Sequence, residues 1–228
     1  MIPRPSPTAL RTLVVAVAAL ATTAANANLL VNGSFEDGNF NAPGNATMSL
    51  PIGSTAMTGW TTFNDTLSWI GTGNPWGLTA NDGARFLDLT ELSPGAPFGG
   101  IRQTVATTAG ASYALSFDLG SSTFWGRPDS ITASAAGTSA TFTSPTTGGN
   151  NDWQRVTMTF TAASETTTVQ LLGTAAFNYI GVDNVSLDLA AGPVPVPVPE
   201  PETWGLMLGG LALLGSVAKR KSRCDRKG

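Results

Sequence analysis

The sequence predicts an all-β protein, an antiparallel β-sandwich or jelly roll. A signal helix precedes the domain and a short transmembrane helix follows it. Three observations lead there. Segments with period-two alternation recur through the middle of the chain. Gly, Pro and Asn punctuate them every ten or so residues. No window between the two ends keeps a helical period. Short strands at that spacing close into sandwiches, because each strand buries one face against a second sheet.

Residues 1–27 read as a secretory signal. Arg4 and Arg11 give a positive start, Leu13 to Ala21 is apolar, and Ala25-Asn26-Ala27 is a small-residue cleavage site. The exported domain is then 28–191. Within it, Arg85 to Leu89 and Ile101 to Thr107 read as strands. In the segment from Ser112 to Leu119, Tyr113, Leu115, Phe117 and Leu119 share one face. Ser130 to Ala135 and Ser139 to Thr143 form a hairpin around Gly137. Val156, Met158 and Phe160 alternate next, and Val169 and Leu171 follow. The last strand slips phase: Ile180 and Val182 face one way, and Val185, Leu187 and Leu189 continue on the other register. The slip falls at Asp183-Asn184 and predicts a β-bulge that turns Asp183 towards a local site.

Residues 192–203 alternate proline from Pro193 to Pro199, which favours a semi-rigid polyproline II stalk. The apolar segment 204–218 follows. Fifteen residues make a helix of about 22 Å at roughly 1.5 Å per residue. That is short against a bilayer core about 30 Å thick. Trp204 suits one interface, and the basic tail 219–228 (Lys219, Arg220, Lys221, Arg223) suits the cytoplasmic side.

Between Asn28 and Val198, four arginines stand against twelve acids, and lysine is absent. The net charge there is −8, whereas the whole chain is formally −3. An acidic, lysine-free domain lacks the electrostatic footprint of a nucleic-acid binder. It also repels anionic polymers unless cations bridge them. With no histidine, a Ser-His-Asp system is impossible. The single cysteine, Cys224, lies in the tail, so the domain has no disulfide and no ordinary zinc ligand. Paired carboxylates such as Asp82 and Asp88 leave only a glycosidase route open, and the domain is expected not to be an enzyme.

Sugar binding needs exposed aromatic faces with polar groups beside them. Trp76 and Trp125 lie in loop-like segments, and Arg85, Arg102 and Asp129 are the polar candidates. Loop packing is the alternative role for Trp76 and Trp125.

Two resemblances add to this reading. Val198-Pro199-Glu200-Pro201-Glu202, the apolar segment and the basic cluster together resemble the bacterial PEP-CTERM sorting signal. That implies cleavage near Pro199, Glu200 and Pro201 by an exosortase, an integral-membrane cysteine protease. The domain carries Asn32-Gly33-Ser34-Phe35-Glu36, Gly59-Trp60, Phe86-Leu87-Asp88-Leu89, Gln103-Thr104-Val105 and Asp183-Asn184-Val185-Ser186-Leu187 in order. It resembles the choice-of-anchor C domain, related to a family also found in plant cell-wall proteins. Both are similar to galactose-binding-like jelly rolls, which include many carbohydrate-binding modules. Trp60 and Trp153 sit on motifs of this domain resemblance, which implies core positions for both. The resemblance implies one structural calcium held by Glu36 and Asp183, with Asp37 assisting; the alternative is an N-terminal turn and a last-strand acid hydrogen-bonded to backbone amides. Together these observations predict an inner-membrane-anchored precursor, then a cell-envelope or extracellular-matrix protein binding exopolysaccharide. The alternative is a structural matrix or biofilm protein with no specific ligand.

Overall fold

A computed structural model describes residues 28–91, 95–122, 128–144, 151–175 and 179–190, with 205–206 and 208–210 of the C-terminal helix. Eleven strands lie among the described residues: β1 (Thr47–Leu50), β2 (Thr61–Phe63), β3 (Leu67–Gly71), β4 (Arg85–Asp88), β5 (Gly100–Ala106), β6 (Ser112–Ser121), β7 (Ser130–Ala135), β8 (Thr138–Thr143), β9 (Asp152–Thr161), β10 (Thr166–Ala175) and β11 (Gly181–Leu189). They form a six-stranded sheet in the order β1-β3-β4-β11-β6-β9 and a five-stranded sheet in the order β2-β5-β10-β7-β8. Neighbouring strands pair antiparallel throughout. The alternating residues of the sequence supply the inner faces: Tyr113, Leu115, Phe117 and Leu119 from β6, Val156, Met158 and Phe160 from β9, Val169 and Leu171 from β10. Each such side chain, fully buried, contributes about 1.5–3 kcal/mol.

The predicted hairpin is β7 and β8, joined by Ala136-Gly137. The predicted bulge is also present. Asp183 pairs with Asp118 and Ser186 with Ser116, so β11 carries one extra residue. The sequence did not signal β1, β2 or β3. β1 and β2 are four and three residues long, and β3 is buried at every position. A strand covered on both faces has no alternation to read.

The outer cover on β3 is a second apolar cluster of Ile70, Leu78, Phe86 and Tyr179, with Trp76, Ala80 and Trp153 packed against it. The β3–β4 connection lies over the outside of the six-stranded sheet here. Asn74 holds it by donating to Gly71 O and Leu78 O at 3.1 and 3.0 Å. Asn151 accepts from the Thr79 amide at 3.0 Å, and the Trp153 indole donates to Thr79 O at 3.0 Å. Trp153 therefore belongs to this outer cluster, not to the sandwich core where the sequence had placed it. Trp60 is in the core, 1 % exposed, and donates to Asn32 O at 2.9 Å.

The N-terminal segment closes the sheet. Leu29 N donates to Leu187 O at 2.9 Å, and Val185 N to Gly33 O at 2.8 Å, beside β11 where β4 has ended. Asn28 Oδ1 accepts from Leu30 and Leu187 amides, and its Nδ2 donates to Val185 O. Among the described residues no helix is long and apolar enough to cross a membrane. Segments 1–27 and 192–204 and most of 204–228 lie outside the described residues.

A Cβ at Gly33 would fall 1.9 Å from Val185 O, a backbone atom that cannot swing aside. Gly33→Ala is expected to part the N-terminal segment from β11 and to cost at least about 2 kcal/mol in urea unfolding.

Candidate functional site

The two carboxylates singled out in the sequence converge on one loop. Asp183 Oδ2 accepts the amides of Asn81 and Asp82, both at 2.8 Å, and Oδ1 accepts that of Asn184 at 2.7 Å. Glu36 Oε1 accepts the amides of Ala84 and Arg85, both at 2.7 Å. Gly83 stands between these pairs at φ +72°, and a Cβ there would meet Glu36 Oε1 at 2.5 Å. The turn thus needs glycine for both conformation and space. Arg85 donates to Glu36 O at 2.6 Å and Oε2 at 3.0 Å. Its guanidinium carbon sits 4.9 Å from the Phe40 ring centre and 5.9 Å from that of Trp69.

The bulge extends this network. Asn184, at φ +49°, and Asn81 both donate to Asp118 Oδ2, at 3.0 and 2.6 Å. Arg155 donates to Asp118 Oδ1 at 3.3 Å, to Ser186 Oγ at 2.8 Å and to Asn184 O. Burial pushes the Asp183 carboxyl up to about 7, although the Asp82, Asn184 and Asn81 amides pull it down; the nearby Asp82 charge adds to the rise.

Calcium takes six to eight oxygens. Here the Glu36 and Asp183 oxygens are engaged by five amides and one guanidinium. Among the described residues no group of three or more His, Cys, Asp or Glu side chains gathers to hold an ion. This donor arrangement does not fit a calcium shared between Glu36 and Asp183.

The other candidate ligand residues do not come together. Trp76 is half-buried against the outer cluster and donates from its indole to Thr47 Oγ1 at 2.9 Å. Arg85 is held by Glu36, Phe40 and Trp69, as above. Asp129 is fully buried, with its amide bonded to Ser144 Oγ at 3.0 Å, so its carboxyl cannot meet a surface ligand in this conformation. Asp88, half of the glycosidase pair, is also fully buried and accepts from the Ile180 amide at 3.0 Å and from Thr90. Trp125, Pro199, Glu200 and Pro201 lie outside the described residues.

Arg102 alone of the polar candidates is exposed, on the outer face of the five-stranded sheet. The registers build two rows across that face. One runs Thr61, Arg102, Gln170, Ser134, Ser139; the other runs Phe63, Gly100, Leu172, Thr132, Thr141. At about 4.8 Å between strands, each row spans about 19 Å. The Arg102 guanidinium carbon is 5.9 Å from the Phe63 ring centre. Thr104 and Thr168 hydroxyls pair at 2.7 Å, as do those of Thr132 and Thr141. A depression of about 290 Å³ opens beside them, lined by Ser134, Ser139, Thr168 and Gln170 among others. Nothing local marked this face in the sequence. Its members come from five strands, and only the pairing registers bring them into rows.

Residues 28–180 match the family model described as protein of unknown function, DUF642. The chain belongs to the DUF642 family. Residues 197–223 match the PEP-CTERM protein-sorting motif, which marks an exported protein processed at the membrane. No curated protein matches the sequence. Among solved structures, the DUF642 domain is similar in shape to carbohydrate-binding modules. One is the structure of TmCBM61 in complex with β-1,4-galactotriose, at 17 % identity and a TM-score of 0.43, covering 72 % of this chain and 99 % of that one. Another is a family 35 module from Clostridium thermocellum, at 15 % identity and a TM-score of 0.43, covering 63 % and 99 %. A third, described under CBM4 structure and function, has 17 % identity and a TM-score of 0.42, covering 70 % and 99 %. At these identities the likeness concerns shape alone.

The Asp183 shift has a definite sign. A carboxyl raised from 3.8 to about 7 on folding binds its proton more tightly in the folded state. Its contribution to stability is full below pH ~4 and is lost as the pH rises through ~7. The unfolding free energy of the wild type is expected to fall across that window. Asp183→Asn should flatten the fall, as read by denaturant titration at several pH values.

Proposed function

We propose that this DUF642 protein is an exported, non-catalytic carbohydrate-binding protein. Its ligand is a neutral polysaccharide of the matrix around the cell, laid across the outer face of the five-stranded sheet. The observation that carries the reading is the set of hydroxyl rows around exposed Arg102 and half-exposed Phe63. A sugar offers one apolar face and a rim of hydroxyls. An aromatic ring beside a guanidinium, a carboxamide and threonine hydroxyls complements both. Gln170 and Arg102 oppose each other across β10 and β5, so both reach the same stretch of chain.

Charge selects the polymer class. The domain carries −8 between Asn28 and Val198, so an acidic polysaccharide meets net repulsion and a neutral one does not. The absence of histidine and the burial of Asp88 and Asp129 support binding without turnover. The sorting motif supports delivery by an exosortase-type protease, acting at Pro199-Glu200-Pro201 on a membrane-held precursor.

The test is binding of the purified protein to a panel of neutral and acidic polysaccharides, with calcium and with chelator. Saturable binding to a neutral class is expected, weakened at least about tenfold by Arg102→Ala or Phe63→Ala, since each removes roughly 1.4 kcal/mol or more of contact. Trp76→Ala is expected to leave affinity unchanged. Chelation is expected to change neither affinity nor melting temperature. Binding lost with Trp76→Ala but kept with Arg102→Ala and Phe63→Ala would move the site to the other sheet.

A further inference from the structure

One flank of the sandwich is formed by two edge strands, β8 of the five-stranded sheet and β9 of the six-stranded sheet. β9 is ten residues long and pairs with β6 without a bulge. Ala162 N donates to Ala111 O at 2.9 Å, continuing that register, so Phe160, Met158 and Val156 turn their backbone groups towards β6. By the alternation of an antiparallel ladder, the N–H and C=O groups of Thr157, Thr159 and Thr161 face away from it. They have no partner among the described residues. Their side chains are exposed on the outer face.

Proteins commonly guard such an edge with lysine, proline, a bulge or an inward charge. This edge has none of them. Val156 to Ser164 is free of charge and proline in a domain of net charge −8 with no lysine. Of the other edges, β8 is likewise free of charge but has six residues against ten in β9, and the remaining two are shorter still. β2 has three residues, and β1 has four, with Glu91 bonded to Ser49 upon it.

We propose that β9 is a self-association edge, and that its partner is β9 of a second copy of this chain. The two would pair antiparallel about a two-fold axis at Thr159 and join the two six-stranded sheets into one. Symmetry singles out a second copy. A two-fold contact sets one patch against itself, residue i meeting residue j, so on an acidic domain an uncharged strip meets itself without the repulsion that strips rich in acids feel. In this register Thr159 faces Thr159 of the second copy and Thr157 faces Thr161. Those are the cross-strand hydroxyl pairs the chain already makes internally: Thr104 with Thr168 and Thr132 with Thr141 at 2.7 Å, and Ser116 with Thr157 at 2.8 Å. The outer face of the five-stranded sheet stays open, so association and sugar binding are independent.

The test uses the full chain in detergent. Sedimentation velocity is expected to show a dimer that dissociates on dilution. Thr159→Pro removes an N–H that β6 does not use, and Thr159→Lys sets two like charges against each other. Both are expected to give monomer with the wild-type melting transition retained. In a Cys224→Ser background, Thr159→Cys is expected to form a disulfide-linked dimer, since opposed Cα atoms about 5.5 Å apart are within disulfide reach. Thr104→Cys, on the other sheet, is expected to form none. A wild-type monomer at every concentration overturns the proposal. So does a dimer that survives both Thr159→Pro and Thr159→Lys, or Thr159→Cys cross-linking no better than Thr104→Cys.

Discussion

The seam between residues 28–36 and β11 is the constraint on which the remaining structure depends. β4 covers β11 only at Gly181 and Val182, and beyond that point the N-terminal segment takes its place. Asn28 holds the junction through its side chain and Gly33 allows backbone to meet backbone. Without the segment, the free half of β11 would expose its ladder groups in the middle of a sheet, where each unpaired buried group costs about 1–3 kcal/mol. The seam also fixes where Glu36 lies, and Glu36 fixes the loop at 84–85.

From the seam, order passes outward through hydrogen bonds rather than apolar contact. The bulge turns Asp183 to the outer face, where it fastens Asn81 and Asp82 while Glu36 fastens Ala84 and Arg85. The loop so fixed returns over the six-stranded sheet and shelters Leu78 beside Phe86 and Tyr179. Buried carboxylates are costly unless paired. Those of Glu36, Asp118 and Asp183 are engaged by amides or by arginine, and Arg85 and Arg155 supply the nearest positive charge. Among the described residues, one sheet is closed on its outer face by a loop and one is left open. That difference supports the five-stranded face as the surface proposed for a ligand.

Polar side chains on the two sheets therefore serve different ends. On the six-stranded sheet, acids, asparagines and arginines answer one another. On the five-stranded sheet, threonines pair only in part, and among the described residues Arg102 meets Phe63 with no carboxylate in an ion pair with it.

The sequence by itself determined the all-β class, the strands β4 to β11, the hairpin, the bulge and the sorting motif. Those follow from local rules: period-two burial, turn residues, a phase slip over a few positions, and an ordered Pro-Glu-Pro, apolar and basic run. It also determined that histidine-based chemistry is absent. Tertiary structure alone decided what was not local. β3 lacks alternation because the loop that follows it folds back, with Tyr179 from far along the chain, to bury its second face. Trp153 and Trp76 belong to that loop's cluster, which no spacing reveals. Arg85 and Asp129 looked like ligand contacts because polar residues near turns are often exposed, but Glu36 and Ser144 hold them instead. Arg102 faces solvent because its register places it opposite Thr61 and Gln170 on an uncovered sheet. Sequence periodicity tells which face of a strand is buried; only the pairing of strands tells what stands beside each residue on the other face.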